Sequence, residues 1–216
     1  MSTILLAQCP LTKVKSANGR TVKGYPRVQT FKAVERDWKC LDDIAADLDK
    51  LQRRTNAAVI RGGLTQLGRQ QAHVLRRAYQ DPKHFEPVER DWIALDIDGA
   101  PAPAELRFGN AQEHAQRALD RAQWLVNQYL PAQLAQVSCV IQWTASEGFD
   151  SSKVYARIWM MATEEAPDHF YRDWIKEHQQ QCPELDTALY NPVQPHYTAP
   201  PIIQNGPAPV SQRICR

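Results

Sequence analysis

The chain has 216 residues, with 26 lysines and arginines against 24 acids, a formal net charge of +2 and 43% apolar residues. That length fits one domain, or one domain with an appendage, and is enough to bury a real core. No run approaches the roughly 18–20 apolar residues of a membrane span, and Ile4-Leu5-Leu6-Ala7 is too short for a signal-peptide core, so a cytoplasmic location without membrane attachment is expected.

Residues 1–32 contain Lys13, Lys15, Arg20, Lys23, Arg27 and Lys32 and no acid. Such an arm could bind a phosphate backbone, although a charge run is more often a solvated face. Within it, Asn18-Gly19 flanked by Val14 and Val22 predicts a basic β-hairpin over residues 11–23. Leu41, Ile44, Ala45, Leu48 and Leu51 recur at helical spacing, and Ala57-Ala58-Val59-Ile60-Arg61 reads as a short strand closing on Gly62-Gly63. Arg61 is then a strand-end cation, able to reach a phosphate or to pair with a surface acid. A helix is expected from an N-cap at Thr65 to Tyr79, with Leu67, Ala72, Leu75 and Ala78 as its apolar stripe, followed by a charged loop from Asp81-Pro82.

Trp92-Ile93-Ala94-Leu95-Asp96-Ile97-Asp98-Gly99 is an apolar run ending in two carboxylates. As a strand it points Ile93, Leu95 and Ile97 to one face and Asp96 with Asp98 to the other. Like charges held side by side repel, and a divalent cation relieves that repulsion; an exposed strand end turning at Asp-Gly is the alternative. Ala100-Pro101-Ala102-Pro103-Ala104 breaks regular structure. The apolar face Ala115, Ala118, Leu119, Ala122, Leu125, Val126 and Tyr129 predicts a helix ended by Pro131.

Val137 to Trp143 suits a strand covered on both faces, and Thr144-Ala145-Ser146-Glu147-Gly148 a turn. From Lys153 to Met161 the residues alternate, with Lys153, Tyr155, Arg157, Trp159 and Met161 sharing one face. Pro167 can open a helix through Gln181 with Phe170, Trp174 and Ile175 inward. The last twenty or so residues are proline-rich without an apolar period, as in an extended wrap or linker, and a linker there points to a further domain cut off or lost. The expected division is 1–40 for the hairpin and N-terminal part, 41–201 for the catalytic domain and 202–216 for the tail.

Cys9, Cys40, Cys139, Cys182 and Cys215 are scattered, with no CxxC pair and no histidine at zinc-ligand spacing, which disfavours structural zinc and a disulfide framework. Cys139, within an apolar run, reads as a small buried hydrophobe. His73, His84, His114, His169 and His178 read as surface residues. There is no GxxxxGK[ST], GxGxxG, HExxH or GxSxG motif, nor a His-x-His pair with a nearby tyrosine. P-loop hydrolysis, dinucleotide redox chemistry, zinc proteolysis, serine esterase chemistry and strand nicking lose support. What survives is carboxylates with cations, the kit for metal-dependent phosphoryl transfer.

The order Leu95-Asp96-Ile97-Asp98-Gly99, then Ser146 and Gly148 with the strand from Lys153, then Leu185-Asp186 and Pro192-Val193-Gln194-Pro195-His196-Tyr197-Thr198-Ala199-Pro200 resembles the archaeo-eukaryotic primase superfamily. The likeness is to the primase-polymerase domains of phages, plasmids and integrative elements, and it runs from about Val59 to Pro201. It implies an α/β (α+β) fold, with a mixed, largely antiparallel sheet of RNA-recognition-motif type and flanking helices.

It also implies template-directed nucleotidyl transfer in replication of a mobile element, with single-stranded DNA and nucleoside triphosphates as partners and a replicative helicase as a candidate third. Asp96, Asp98 and Asp186 would be catalytic and hold Mg²⁺ or Mn²⁺. Arg157, Lys153, Ser146, Gly148, Gln194, His196 and Tyr197 would contact nucleotide, and Lys13, Lys15, Arg20, Lys23 and Arg61 the DNA. The family's second motif usually presents a histidine where Arg157 stands here, and often a serine where Tyr155 stands. An arginine clamps phosphate bidentately but donates no proton near neutral pH. Two alternatives stay open: a replication protein of this fold that binds DNA or nucleotide without catalysis, and a metal-dependent nuclease.

Overall fold

The computed structural model describes residues 1–76, 83–131, 134, 136–180 and 182–216. The expected helix end at Tyr79, the loop at Asp81-Pro82 and the helix end at Gln181 lie outside the described residues. Strands β1 (Ser2–Leu6), β2 (Val14–Ser16), β3 (Thr21–Lys23) and β4 (Thr30–Arg36) precede helix α1 (Leu41–Leu51). Next come β5 (Ala57–Ile60), β6 (Gly63–Leu64), α2 (Gln66–Gln70), β7 (Val74–Leu75), β8 (Phe85–Glu86) and the long β9 (Arg90–Pro101). Helix α3 (Ala111–Tyr129), β10 (Val140–Trp143), β11 (Lys153–Ala166) and α4 (Asp168–Gln179) follow, then β12 (Leu185–Asp186), β13 (His196–Tyr197), β14 (Ile202–Gln204) and β15 (Ile214–Cys215).

Two five-stranded antiparallel sheets form the body, ordered β13-β5-β1-β4-β7 and β12-β9-β11-β10-β15. The expected mixed, largely antiparallel α/β architecture is present; among the described residues the one parallel pair is β14 with β2. Strand alternation explains the layering. Leu95, Ile97, Val154, Ala156, Ile158 and Met160 face α3 and α4 in one core, while Trp92, Ala94, Val140 and Trp159 face α1, β1 and β5 in another. The second core centres on Trp38, Trp92 and Trp159, with ring centroids 5.4–6.1 Å apart.

Local chemistry sets several boundaries. Asn110 caps α3 by accepting the backbone N–H of Gln112 and Glu113, each at 3.0 Å. Thr65 caps α2 through Gly68 N–H at 3.1 Å, but that helix stops at Gln70 rather than running on. Val74 and Leu75 instead pair with Phe31 and Thr30 of β4, burying Val74, so sheet pairing overrides a weak helical stripe. In α4 the inward residues are Asp168, Tyr171 and Ile175, spaced i, i+3, i+7; Phe170, expected inside, lies off that stripe and is 56% exposed. Cys139 is partly buried.

Two further departures matter for the site. The strand bearing the acid pair continues through Gly99 to Pro101. Gly99, at φ +86°, absorbs a bulge where the register against β11 slips between Val154 and Tyr155. The C-terminal stretch is a wrap that completes two sheets: β14 runs beside β2, β15 forms the edge beyond β10, and buried Arg213 donates to the Trp143 carbonyl. Among the described residues no helix is long and apolar enough to cross a membrane.

Candidate functional site

The second sheet carries, on its face toward the first, one row of side chains with one residue per strand. Asp186 of β12 lies opposite Asp96 of β9, Asp96 opposite Arg157 of β11, Arg157 opposite Gln142 of β10, and Gln142 opposite Ile214 of β15. Directly opposed residues in an antiparallel ladder hold their Cβ atoms about 4.5–5.5 Å apart, so Asp186 and Asp96 are immediate neighbours despite their distance in sequence. The row on one side, Ala94-Trp159-Val140, is sealed in the tryptophan core. On the other side Asp98 lies opposite Tyr155 and is exposed. The acid row thus sits where the sheet passes from core to solvent.

Arg157 brings Nε and Nη2 to the same oxygen, Oδ1 of Asp96, each at 3.0 Å, and Nη1 donates to the Tyr197 carbonyl at 3.3 Å. The two side chains are 18% (Asp96) and 7% (Arg157) exposed. Burial pushes the Asp96 pKa up, the Arg157 guanidinium pulls it down, and Asp186 and Asp98 push it up again. The three carboxylates therefore share one local field. Asp98 donates its backbone N–H to the Glu184 carbonyl at 3.0 Å, and its carboxylate has no described hydrogen bond. Asp186 accepts the Ala188 N–H on Oδ1 at 2.8 Å.

Among the described residues, the Asp98 carboxylate, the second oxygen of Asp186 and Oδ2 of Asp96 make no hydrogen bond, and carboxylate oxygens are the donors a hard divalent cation prefers. Among the described residues no group of three or more His, Cys, Asp and Glu forms a ready-made metal cluster. Mg²⁺ does not require one, because it keeps several waters and is usually held by one or two carboxylates together with substrate phosphates.

The predicted hairpin is present and folds toward this row. Lys15 is buried, donates to the Gly19 carbonyl at 3.2 Å and to Ser146 Oγ at 3.4 Å, and lies over the Phe149 ring at 4.8 Å. Burial and Lys13 lower its pKa, while Asp98 raises it. Tyr25, just after β3, stacks on Tyr197 with ring centroids 3.7 Å apart and planes 11° apart, and Lys13 Nζ lies 4.9 Å from the Tyr25 ring. Burial raises the Tyr25 pKa to about 12.

No family model, curated protein or solved structure matches the chain.

The remaining expected site residues scatter. Arg61 is fully buried, hydrogen-bonds Asp168 and the Trp92 carbonyl, and is enclosed by the rings of Trp92, Tyr171 and Tyr190 at 4.6–5.3 Å. It presents no charge to DNA; its role is to balance the buried carboxylate of Asp168. Lys15 is likewise withdrawn from solvent, whereas Arg20 and Lys23 are exposed. Lys153 is exposed and lies past the bulge, opposite Pro101, away from Arg157.

Gly148 has φ +91°, and a Cβ there would meet Pro209 Cβ and Val210 Cγ2 at 2.8 Å, so its close approach is to the C-terminal wrap. Gln194 sits in the turn before β13, its N–H bonded to the Asn191 carbonyl at 2.9 Å. His196 lies beneath the row, fully buried between Trp92 and Trp159.

Sequence reasoning missed the group that fixes the turn bearing Ser146. Glu147 is buried: Oε1 accepts from Arg121 Nη2 at 2.8 Å and meets His114 Nε2 at 3.1 Å, and Oε2 accepts the Tyr155 N–H at 2.7 Å. His114 and His84 are thus buried rather than on the surface. The available signal was that His114 and Arg121 share the helical stripe of Ala118 and Leu125, so a cation occupies a core position.

Proposed function

We propose that the chain is a primase-polymerase-type nucleotidyltransferase of the archaeo-eukaryotic primase kind, acting on a DNA template with nucleoside triphosphates and Mg²⁺ or Mn²⁺. The observation that supports this most is the neighbouring of Asp186 and Asp96 across the β12–β9 ladder, with Asp98 one step outward. Asp98 and Asp186 would hold the cation together with triphosphate oxygens and water, beside the Asp96 carboxylate that Arg157 holds. A metal bound there would neutralise triphosphate charge and activate the attacking hydroxyl.

The chain's own residues set the geometry. Arg157 takes Oδ1 of Asp96 with two nitrogens, which fixes that carboxylate in the row. The bulge at Gly99 lets β9 turn back into the helix-facing core at Ala100 immediately after presenting Asp98. Arg20 and Lys23, exposed on the hairpin, supply positive charge for a template backbone.

The experiment is incubation with single-stranded template, nucleotides and Mg²⁺ or Mn²⁺, with and without primer. Metal-dependent products that vanish in Asp98→Asn are expected, and products unchanged by that substitution would contradict the assignment. One observation favours a second reading, a replication protein that binds without catalysis: the Arg157–Asp96 ion pair already neutralises one acid of the row. Tight DNA binding with no incorporation under any metal would select it.

A further inference from the structure

The β2–β3 hairpin belongs to neither main sheet; it has its own small sheet with β14, and all of β3 is exposed. Besides its ladder with β14, it touches the body of the protein at three places beside the proposed site. Its tip, Gly19, packs on Phe149 so closely that a Cβ would lie 2.6 Å from Phe149 Cβ. Its first strand places Lys15 on Ser146 and Phe149. The segment leaving its second strand lays Tyr25 flat on Tyr197.

That stack is unusual within the molecule. Among the described aromatic pairs it alone is face to face, at 3.7 Å, whereas the others are edge-on or tilted at 4.4–6.1 Å. Protein rings ordinarily prefer offset or edge-to-face arrangements at 4.5–7 Å, whereas flat stacking is how nucleobases sit on aromatic side chains. Tyr197 is tied to the acid row, because its carbonyl accepts from the same Arg157 that holds Asp96.

We propose that Tyr197 is a nucleobase platform and that the hairpin is a cover over it, with the Tyr25 ring occupying the place of the base. The inference rests on the nucleotide-site reading above. In this arrangement the hairpin takes the place of the base with a flat ring on Tyr197, and its Lys15 ammonium lies on Ser146 and Phe149 beside the row as a stand-in for the positive charge of the metal, not for the nucleotide. A nucleoside triphosphate must lift Tyr25 to stack. The device is a built-in competitor that keeps the site shut until ligand is present. The fully exposed outer strand β3, outside both main sheets, is the part of the cover free to move with it.

The test uses the whole chain with dATP and MnCl₂, read by titration calorimetry and by amide hydrogen exchange over residues 14–23. Tyr25→Ala removes the competing ring and is expected to tighten dATP binding about tenfold, a gain that Tyr197→Ala in the same chain abolishes. Gly19→Ala drives the tip off Phe149 and is expected to tighten binding about threefold, which keeps the test available if Tyr25→Ala folds poorly. In the wild-type protein, saturating dATP is expected to speed hairpin exchange. If dATP binds the wild type and both variants equally, or the variants more weakly, the cover is refuted while the nucleotide site stands. If dATP binds none of them at millimolar concentration, the site reading fails and the cover fails with it.

Discussion

His196 gives the sharpest prediction about stability. Its side chain has no exposed area and sits 5.7 Å from the Trp92 ring and 5.6 Å from the Trp159 ring. Burial first, then the charges of Arg157 and Arg61, hold its pKa well below the ordinary 6.5, so the folded protein keeps the ring neutral. The unfolded chain, by contrast, takes up a proton below pH 6.5. Stability from this group is therefore fully present above about pH 7 and falls as the pH drops through 6.5 toward the folded pKa.

At pH 5.5 the unfolded imidazole is about ten-to-one protonated, which favours unfolding by about 1.4 kcal/mol relative to pH 7.5. Urea unfolding followed by tryptophan fluorescence at both pH values, for wild type and His196→Gln, isolates the term, since His84 and His114 are common to both. The wild type is expected to lose about 1.4 kcal/mol more than the variant between pH 7.5 and 5.5. Equal losses would refute the reasoning, because they would mean that His196 titrates alike in the folded and unfolded chains.

Three other substitutions probe the scaffold and are read by the same denaturation. Arg121→Met removes the cation from the carboxylate of Glu147, which has no exposed side-chain area and keeps only His114 and the Tyr155 N–H, and is expected to cost about 3–5 kcal/mol; a loss under about 1 kcal/mol would show that those two partners suffice. Gly99→Ala is expected to cost about 1–2 kcal/mol from the φ of +86° alone, since its nearest neighbour, Tyr155, is at an ordinary 3.5 Å. Gly148→Ala is expected to cost more than Gly99→Ala, because it adds contacts of 2.8 Å with Pro209 and Val210 to a similar strain; the reverse order would contradict the packing of the wrap.

What was legible in the sequence was whatever alternation and local chemistry determine. Two residues apart on a strand, Asp96 and Asp98 had to share a face; Arg157 and Trp159 likewise, and Asn18-Gly19 had to turn. The place of Asp186 opposite Asp96 had no local signal, and was expected only from the order of the resembling blocks. Arg61 was misjudged because the fate of a strand-end cation depends on Asp168, 107 positions away. Glu147 was passed over because its charged partners, His114 and Arg121, come from α3. The C-terminal stretch carries no apolar period since its strands are two and three residues long, yet Ile214 completes the row that contains Asp96.

The central claim is that the acid row binds a divalent cation. Titration of the protein with Mn²⁺, with free Mn²⁺ counted by its electron paramagnetic resonance signal, tests it without requiring turnover. The wild type is expected to take up Mn²⁺ and the double variant Asp98→Asn/Asp186→Asn to lose that uptake while unfolding at the same urea concentration. Uptake unchanged by the two substitutions, or none in the wild type, would contradict the account.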